Sequence, residues 1–141
     1  MSQVTLAQAN TIITAALTCA REKNFQQLTV VVLDAGGHTV ALQREDNSGI
    51  LRVEIASGKA YGALGMGISS RQVGANNPDR PAFLAAVSAA SGGRFVPVAG
   101  GVLIRNSDGH VIGAVGVSGD NSDNDEIAAI AGIGAAGLAT D

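Results

Sequence analysis

Apolar side chains recur at helical spacing in the first part of the chain and alternate with polar ones further on. Five of them fall on one face of a helix predicted over residues 3–23: Val4, Ala7, Ile12 or its neighbour Ile13, Ala16 and Ala20. A β-branched run at 28–33 and an alternating run at 38–44 then predict two strands. The glycine-containing turn between the two runs indicates that they form a β-hairpin.

A second hairpin is predicted far down the chain, with strands at 101–105 and 110–117. Its turn repeats the pattern of the first one, since the sequence Asp108-Gly-His110 matches Asp34-Ala-Gly-Gly-His38. We therefore expect the two hairpins to belong to one antiparallel sheet.

Helical patterns fill three other lengths, which are residues 49–66, 79–90 and 123–139. The last one starts with a capping-box pattern, in which Ser122 is followed three residues later by Asp125. Since this order of helices and hairpins lacks βαβ alternation, it predicts an α+β fold, an antiparallel sheet of two hairpins with flanking helices. No break in composition divides the chain, so residues 1–141 are predicted to form a single domain.

Small side chains dominate the composition. The 141 residues include 24 Ala and 19 Gly, but only three Phe, one Tyr and no Trp. Elements built from such residues can approach closely, because little bulk separates their backbones. Only 15% of the residues are charged, so we expect a homo-oligomer that covers part of the apolar surface.

Charge and composition also argue against several kinds of partner. The net charge is −3, the basic residues form no cluster and few aromatic rings are present to stack on bases, which argues against nucleic-acid binding. No stretch approaches the ~20 apolar residues of a membrane span, and no basic segment precedes an apolar one near the N-terminus. The sequence therefore predicts a cytoplasmic protein without membrane contact. Cys19 is the only cysteine, which excludes an intrachain disulfide and a thiolate metal cluster.

One charged residue lies in an apolar setting within a predicted helix. Lys59 shares its helical face with small or apolar residues, where an isolated charge is costly unless it is paired. Two interpretations remain open. Lys59 forms a structural ion pair with a residue such as Asp46, or it joins Arg44 in a pocket for an anion or carboxylate.

The segment 91–101 is the second candidate for ligand contact. Two Gly-Gly pairs bracket Phe95 immediately before a predicted strand, and glycine pairs let backbone N–H groups approach a ligand closely. Phe95, Gly100 and Gly101 are therefore candidate ligand-binding residues, and the alternative is an ordered loop that enters the sheet. Ser118, at the end of the last strand, is a further candidate.

The two histidines are the candidate metal ligands. His38 and His110 follow the turns of the two hairpins, and a neutral imidazole offers a lone pair to a metal or to haem iron. The alternative for each is a polar residue that faces solvent beside a turn.

Three stretches of the chain resemble the GlcG/HbpS-like family, which also includes the C-terminal domain of PduO-type cobalamin adenosyltransferases. They read LDAGGHTVALQRED, EIASGKAYGA and FVPVAGGVLIRNSDGHVIGAVGVSGDNSDNDEIAAIAG. The resemblance runs from about Leu6 to Leu138, and its most specific pieces are Lys59-Ala60 and the glycine-rich strand ending at Gly119 together with Asp125-Glu126.

The resemblance implies a compact domain of profilin-like or PAS-like outline and a homo-oligomer, commonly an octamer. It also implies possible haem binding, and a link to glycolate or to cobalamin-dependent glycerol and propanediol metabolism. The family's Arg-x-Asp after the second strand is Arg44-Glu45-Asp46 here.

Two functions of different class follow. In the first, the protein is a binding or accessory protein whose pocket holds haem, a related tetrapyrrole or another small anionic ligand, between Arg44, Lys59, Phe95 and the loop at Gly100 and Gly101. In the second, it is an enzyme acting on a carboxylated metabolite bound at Arg44, with Lys59 or Asp46 as the acid/base.

Overall fold

The structure, a computed structural model, describes residues 3–140. The elements of this part of the chain are, in order, α1 (Leu6–Glu22), β1 (Thr29–Asp34), β2 (Thr39–Arg44), α2 (Arg52–Met66), α3 (Ser70–Asn76), α4 (Pro81–Ala90), β3 (Gly101–Arg105), β4 (Val111–Ser118) and α5 (Ser122–Ala135). None of these helices is both long and apolar enough to span a bilayer. The predicted α+β class is confirmed.

The four strands form one antiparallel sheet in the order β2-β1-β4-β3. Both predicted hairpins are present, and they meet through the pairing of β1 with β4 at the centre of the sheet. Strand β1 is buried on both faces, which explains its continuous run of β-branched residues rather than an alternating pattern.

Helices cover both faces of the sheet. Val30 and Val32 of β1 pack with apolar residues of α1 and α5 on one face, whereas Val31 and Leu33 pack with α2 on the other. The short helix α3 lies beside α2 and β3. Helix α4 differs from the rest, because none of its residues is buried even though nearly all of them are apolar.

The helix boundaries differ from the predicted ones by up to four residues. Helix α2 begins at Arg52 rather than at residue 49, because residues 45–50 form turns. The segment between α2 and α4 contains α3, which the sequence pattern missed because a helix of seven residues shows little periodicity. Helix α5 ends at Ala135 instead of residue 139, and its N-cap is Asn121, whose side chain accepts from the Asn124 amide. The predicted capping box of Ser122 and Asp125 is therefore wrong.

Helix α2 lies unusually close to the strands beneath it. A Cβ atom added to Gly116 of β4 would overlap the carbonyl oxygen of Ala56, and one added to Gly101 of β3 would overlap the carbonyl oxygen of Lys59. Only glycine leaves room for this approach at either position. The abundance of small residues therefore sets the distance between α2 and the sheet, as the composition suggested.

Gly116→Ala should destabilise the fold, because the added methyl group meets the backbone of α2, which cannot yield as a flexible side chain would. We expect the free energy of unfolding to fall by about 1–3 kcal/mol, the usual cost of overpacking a core. The matched control is Gly134→Ala in α5, where a Cβ has open space and alanine favours the helix by up to about 1 kcal/mol. Urea denaturation measures both, and an unchanged midpoint for Gly116→Ala would contradict the close approach.

Candidate functional site

The predicted site residues lie at opposite ends of the sheet. Strand β1 pairs Thr29 with Arg44 and Ser118 at one end and runs to Asp34, beside the turn that carries His38, at the other. A strand of six residues spans about 17 Å, so these two groups cannot surround one small ligand. They are two regions, called here the arginine end and the histidine end.

Lys59 lies near the arginine end and is the largest fully buried side chain, with 2% of its surface exposed. Its ammonium group donates to Val117 O at 2.9 Å and to Asp125 Oδ2 at 3.1 Å. The other carboxylate oxygen of Asp125 accepts from the Asp120 amide at 2.9 Å. Both charged groups therefore have hydrogen-bond partners inside the protein.

Burial dominates the electrostatics of this pair. It lowers the pKa of Lys59 and raises the pKa of Asp125, because removal from water penalises the charged form of each group. The charge of each partner opposes that effect, and the positive charge of Arg52 lowers the pKa of Lys59 further. The pair holds α2 and α5 together past the end of β4, even though these helices cover opposite faces of the sheet.

The predicted partner of Lys59 is wrong. Asp46 is exposed in the loop after β2, and the counter-charge comes from Asp125, which the sequence assigned to helix capping. A contact between Lys59 and a ligand was also predicted, but its buried ammonium group is already bonded to two protein oxygens. An acid/base role on a bound metabolite would first require this ion pair to separate.

Arg44 and Asp46 do share a cleft, of about 460 Å³, between α1 and the end of β2. Its charges balance, because Arg21 and Arg44 face Glu45 and Asp46, and Arg21 lies 3.2 Å from Glu45. Arg44 itself donates to the carbonyl oxygen of Ser48 at 2.8 Å. The cleft therefore lacks the excess positive charge expected of an anion pocket.

The remaining residues of the arginine end support the fold. The hydroxyl of Ser118 is buried and accepts from Arg52 at 3.0 Å, a contact that the sequence did not predict. Gly100 has a φ of +125°, and a Cβ there would lie 2.8 Å from the Lys59 ammonium nitrogen. The Gly101 amide donates to Ser70 Oγ at 2.8 Å. The two glycines thus make room for Lys59 and α2. This agrees with the alternative stated above, an ordered loop that enters the sheet.

The two hairpin turns at the histidine end have the same geometry. In the first, Asp34 Oδ1 accepts from the amides of Gly36 and His38, both at 3.0 Å. In the second, Asn106 Oδ1 accepts from the amides of Asp108 and His110, again at 3.0 Å. The structural match of Asp34 is therefore Asn106, two residues before the Asp108 that the sequence pattern had aligned with it.

This difference separates the two histidines chemically. His38 Nδ1 lies 3.4 Å from the Asp34 carboxylate, whereas the equivalent position beside His110 carries an amide. A carboxylate at Nδ1 favours the tautomer with its proton there, which leaves Nε2 as a lone-pair donor. The His38 side chain is 83% exposed, so it is accessible to a large ligand.

An aromatic ring lies next to the turn of His38. A Cβ atom on Gly37 would come within 2.7 Å of the Tyr61 ring, so this glycine lets the ring pack against the turn. Tyr61 and Leu64 of α2, with Gly36 and Gly37, border a hollow of about 170 Å³. Neither Asp34 as the partner of His38 nor the packing of Tyr61 against this turn was predicted from the sequence, although the Asp34–His38 spacing was visible.

No bare metal site accompanies these residues. Among residues 3–140, no group of three His, Cys, Asp or Glu side chains is placed to hold a metal ion. A single imidazole backed by a carboxylate fits a metal whose other ligands come with it, as in haem, where one histidine is a sufficient protein ligand.

The comparison with protein families matched residues 4–134 to the model described as haem-degrading protein HbpS-like. The comparison with curated proteins gave no match.

Several solved structures share the fold. A PduOC–haem complex superposes with a TM-score of 0.86 at 23% sequence identity, and the match covers 98% of each chain. The Klebsiella pneumoniae protein ORFY has a TM-score of 0.84 at 27% identity, over 95% of this chain and 90% of the other. A double mutant of Streptomyces reticuli HbpS has a TM-score of 0.79 at 25% identity, over 94% of this chain and 86% of the other.

The ion pair makes a specific prediction about stability. Lys59→Met leaves the Asp125 carboxylate buried without a counter-charge, and Asp125→Asn leaves the ammonium group in the same situation. Each single substitution should cost about 3–5 kcal/mol of unfolding free energy, whereas the double variant should regain most of that loss. Denaturant unfolding of all four proteins gives the coupling energy, and strictly additive losses would show that the pair is not coupled.

Proposed function

The chain belongs to the HbpS-like family, and from that membership we propose that it is a homo-oligomeric protein that binds haem or a closely related anionic tetrapyrrole. The observation that carries the proposal is the Asp34–His38 pair in an exposed turn. The haem complex of PduOC supports it, because that protein shares the fold over almost the whole chain.

His38 is the residue that would hold the iron. Its Nε2 would be the donor to the iron, with the Asp34 carboxylate 3.4 Å from the other ring nitrogen, as carboxylates lie beside histidine ligands at other metal sites. When bound, haem would supply a redox-active iron centre. The protein residues would position it and limit the access of water.

The apolar surface for the macrocycle would come partly from Tyr61 and Leu64, which border the hollow beside the turn. This hollow is too small to enclose a porphyrin, and the His38 side chain beside it is largely exposed. A second copy of the chain would therefore complete the site, which links haem binding to assembly.

Helix α4 is the surface we assign to assembly. Its sequence is PAFLAAVSAA, it has no polar face and none of its residues is buried. A helix that is apolar on all sides normally lies against other elements, so a second chain is its expected partner. An octamer, a cytoplasmic location and a link to glycolate or to glycerol and propanediol metabolism remain predictions from the family resemblance.

The alternative, an enzyme acting on a carboxylated metabolite with Lys59 or Asp46 as acid/base, has less support. Lys59 is buried in the ion pair with Asp125, and Asp46 lies in a cleft whose charges balance. The Lys59 ammonium group binds Val117 O near the arginine end, and Asp46 follows β2 at that end.

Haem titration tests the assigned ligand. The wild-type protein should show a saturable shift of the Soret band, and His38→Ala should weaken the affinity at least about tenfold because the iron loses its protein ligand. Asp34→Asn, which gives the first turn the chemistry of the second, should weaken it by about 10–100-fold, the usual effect of removing such a carboxylate.

His110→Ala is the matched control, since it lies in a turn of the same geometry without the carboxylate, and it should bind haem like the wild type. The proposal fails if the wild type gives no saturable shift. It also fails if the two histidine variants lose affinity equally.

Ala86→Glu tests the role of α4. Ala86 is exposed in a single chain, but assembly through α4 would bury the new carboxylate, which is costly. The variant should therefore lower the molecular mass measured by sedimentation velocity. Gln72→Glu, which adds the same charge to the exposed surface of α3, should leave the mass unchanged. If Ala86→Glu assembles like the wild type, α4 is not the interface.

A further inference from the structure

A second hollow, which shares Tyr61 and Gly65 with the first, lies between α2 and the C-terminal end of α4. It has a volume of about 220 Å³, and its lining is mostly apolar, with Tyr61, Met66, Val87 and Phe95 as the large side chains. Phe95, which the sequence predicts as a ligand-binding residue, therefore lines a mostly apolar pocket.

The pocket is open because of a glycine in α2. A Cβ atom at Gly62 would lie 2.9 Å from the Phe95 ring, so Phe95 already occupies the space beside that turn of the helix. One turn further on, a Cβ atom at Gly65 would have no neighbour within 4 Å. Glycine in a helix interior costs up to about 1 kcal/mol relative to alanine, so the opening is maintained at some expense of helix stability.

A positive charge lies beside this pocket, on the exposed side chain of Arg94. The Arg94 guanidinium carbon lies 3.8 Å from the centroid of the Tyr61 ring, and its Nε donates to the carbonyl oxygen of Ser91 at 3.3 Å. Tyr61 and Ser91 both line the pocket. Among the described residues, the ion pairs of carboxylates involve other cations, so Arg94 has no carboxylate partner.

We propose that this pocket binds a small carboxylate with an apolar body of about the size of one ring. Its carboxylate would pair with Arg94, whose planar guanidinium suits that group, and the body would contact Phe95 and Met66. The volume of the pocket agrees with a ligand body of one ring, because an apolar cavity of about 150 Å³ is known to hold benzene. The proposal does not depend on haem binding, which we place at the turn that carries His38.

Benzoate is the probe for a calorimetric titration of the intact, assembled protein. It should bind saturably, whereas acetate, which lacks the apolar body, and benzyl alcohol, which lacks the charge, should each bind at least about tenfold more weakly. Arg94→Gln should weaken benzoate by about tenfold and leave the affinity for benzyl alcohol unchanged. A structural role of Arg94 alone would change both affinities or neither.

Gly65→Leu should fill the pocket and abolish benzoate binding without destabilising the fold. Gly134→Leu is its matched control, because this helical glycine also faces open space, and it should bind benzoate like the wild type. His38→Ala should also bind benzoate normally, so loss of haem binding and loss of benzoate binding can be told apart.

Two results would overturn the proposal. If benzoate does not bind the assembled wild type, a side chain of a second copy fills the pocket or no ligand of this class fits it. If it binds and Gly65→Leu does not reduce the affinity, the carboxylate lies elsewhere.

Discussion

The close approach of α2 to β3 and β4 is the constraint on which the rest of the structure depends. Gly116 and Gly101 bring the strands against the backbone of the helix at Ala56 and Lys59. This contact leaves no room for water, so the Lys59 ammonium group must find its partners inside the protein. The same approach brings Tyr61, two residues further along α2, against the turn that carries His38. The small residues thus determine both the buried ion pair and the surroundings of the exposed histidine.

The ion pair lies near the arginine end of the sheet and supports the fold, whereas the histidine end carries an exposed imidazole. At the first end, Lys59 and Asp125 connect helices on opposite faces of the sheet, and both side chains are buried and paired with each other. At the second end, the hairpin turns hold two imidazoles in similar backbone geometry, of which only His38 has a carboxylate beside it. Because both turns have the same backbone geometry, the carboxylate of Asp34 is the difference that distinguishes His38, the candidate ligand, from His110.

The fold was largely predictable from the sequence, because hydrophobic periodicity and turn residues act locally. Both hairpins and four of the five helices were placed within a few residues, and the seven-residue α3 was too short for its pattern to be visible. The site was less predictable, since it depends on which residues meet across the sheet. Asp125 is 66 positions from Lys59, and its position near a helix start favoured a capping role. Lys59 and Asp125 nonetheless belong to the most specific pieces of the family resemblance. That resemblance was the signal in the sequence that the two residues act together.

We place the ligand site at the histidine end of the sheet rather than at the arginine end, which holds most of the residues predicted from the sequence. Amide chemical shifts of the protein with a diamagnetic gallium protoporphyrin test this most directly. We expect the shift changes to cluster in the turn at 34–38 and around Tyr61 in α2. Shift changes confined to Arg44, Ser118 and the cleft beside them would contradict it.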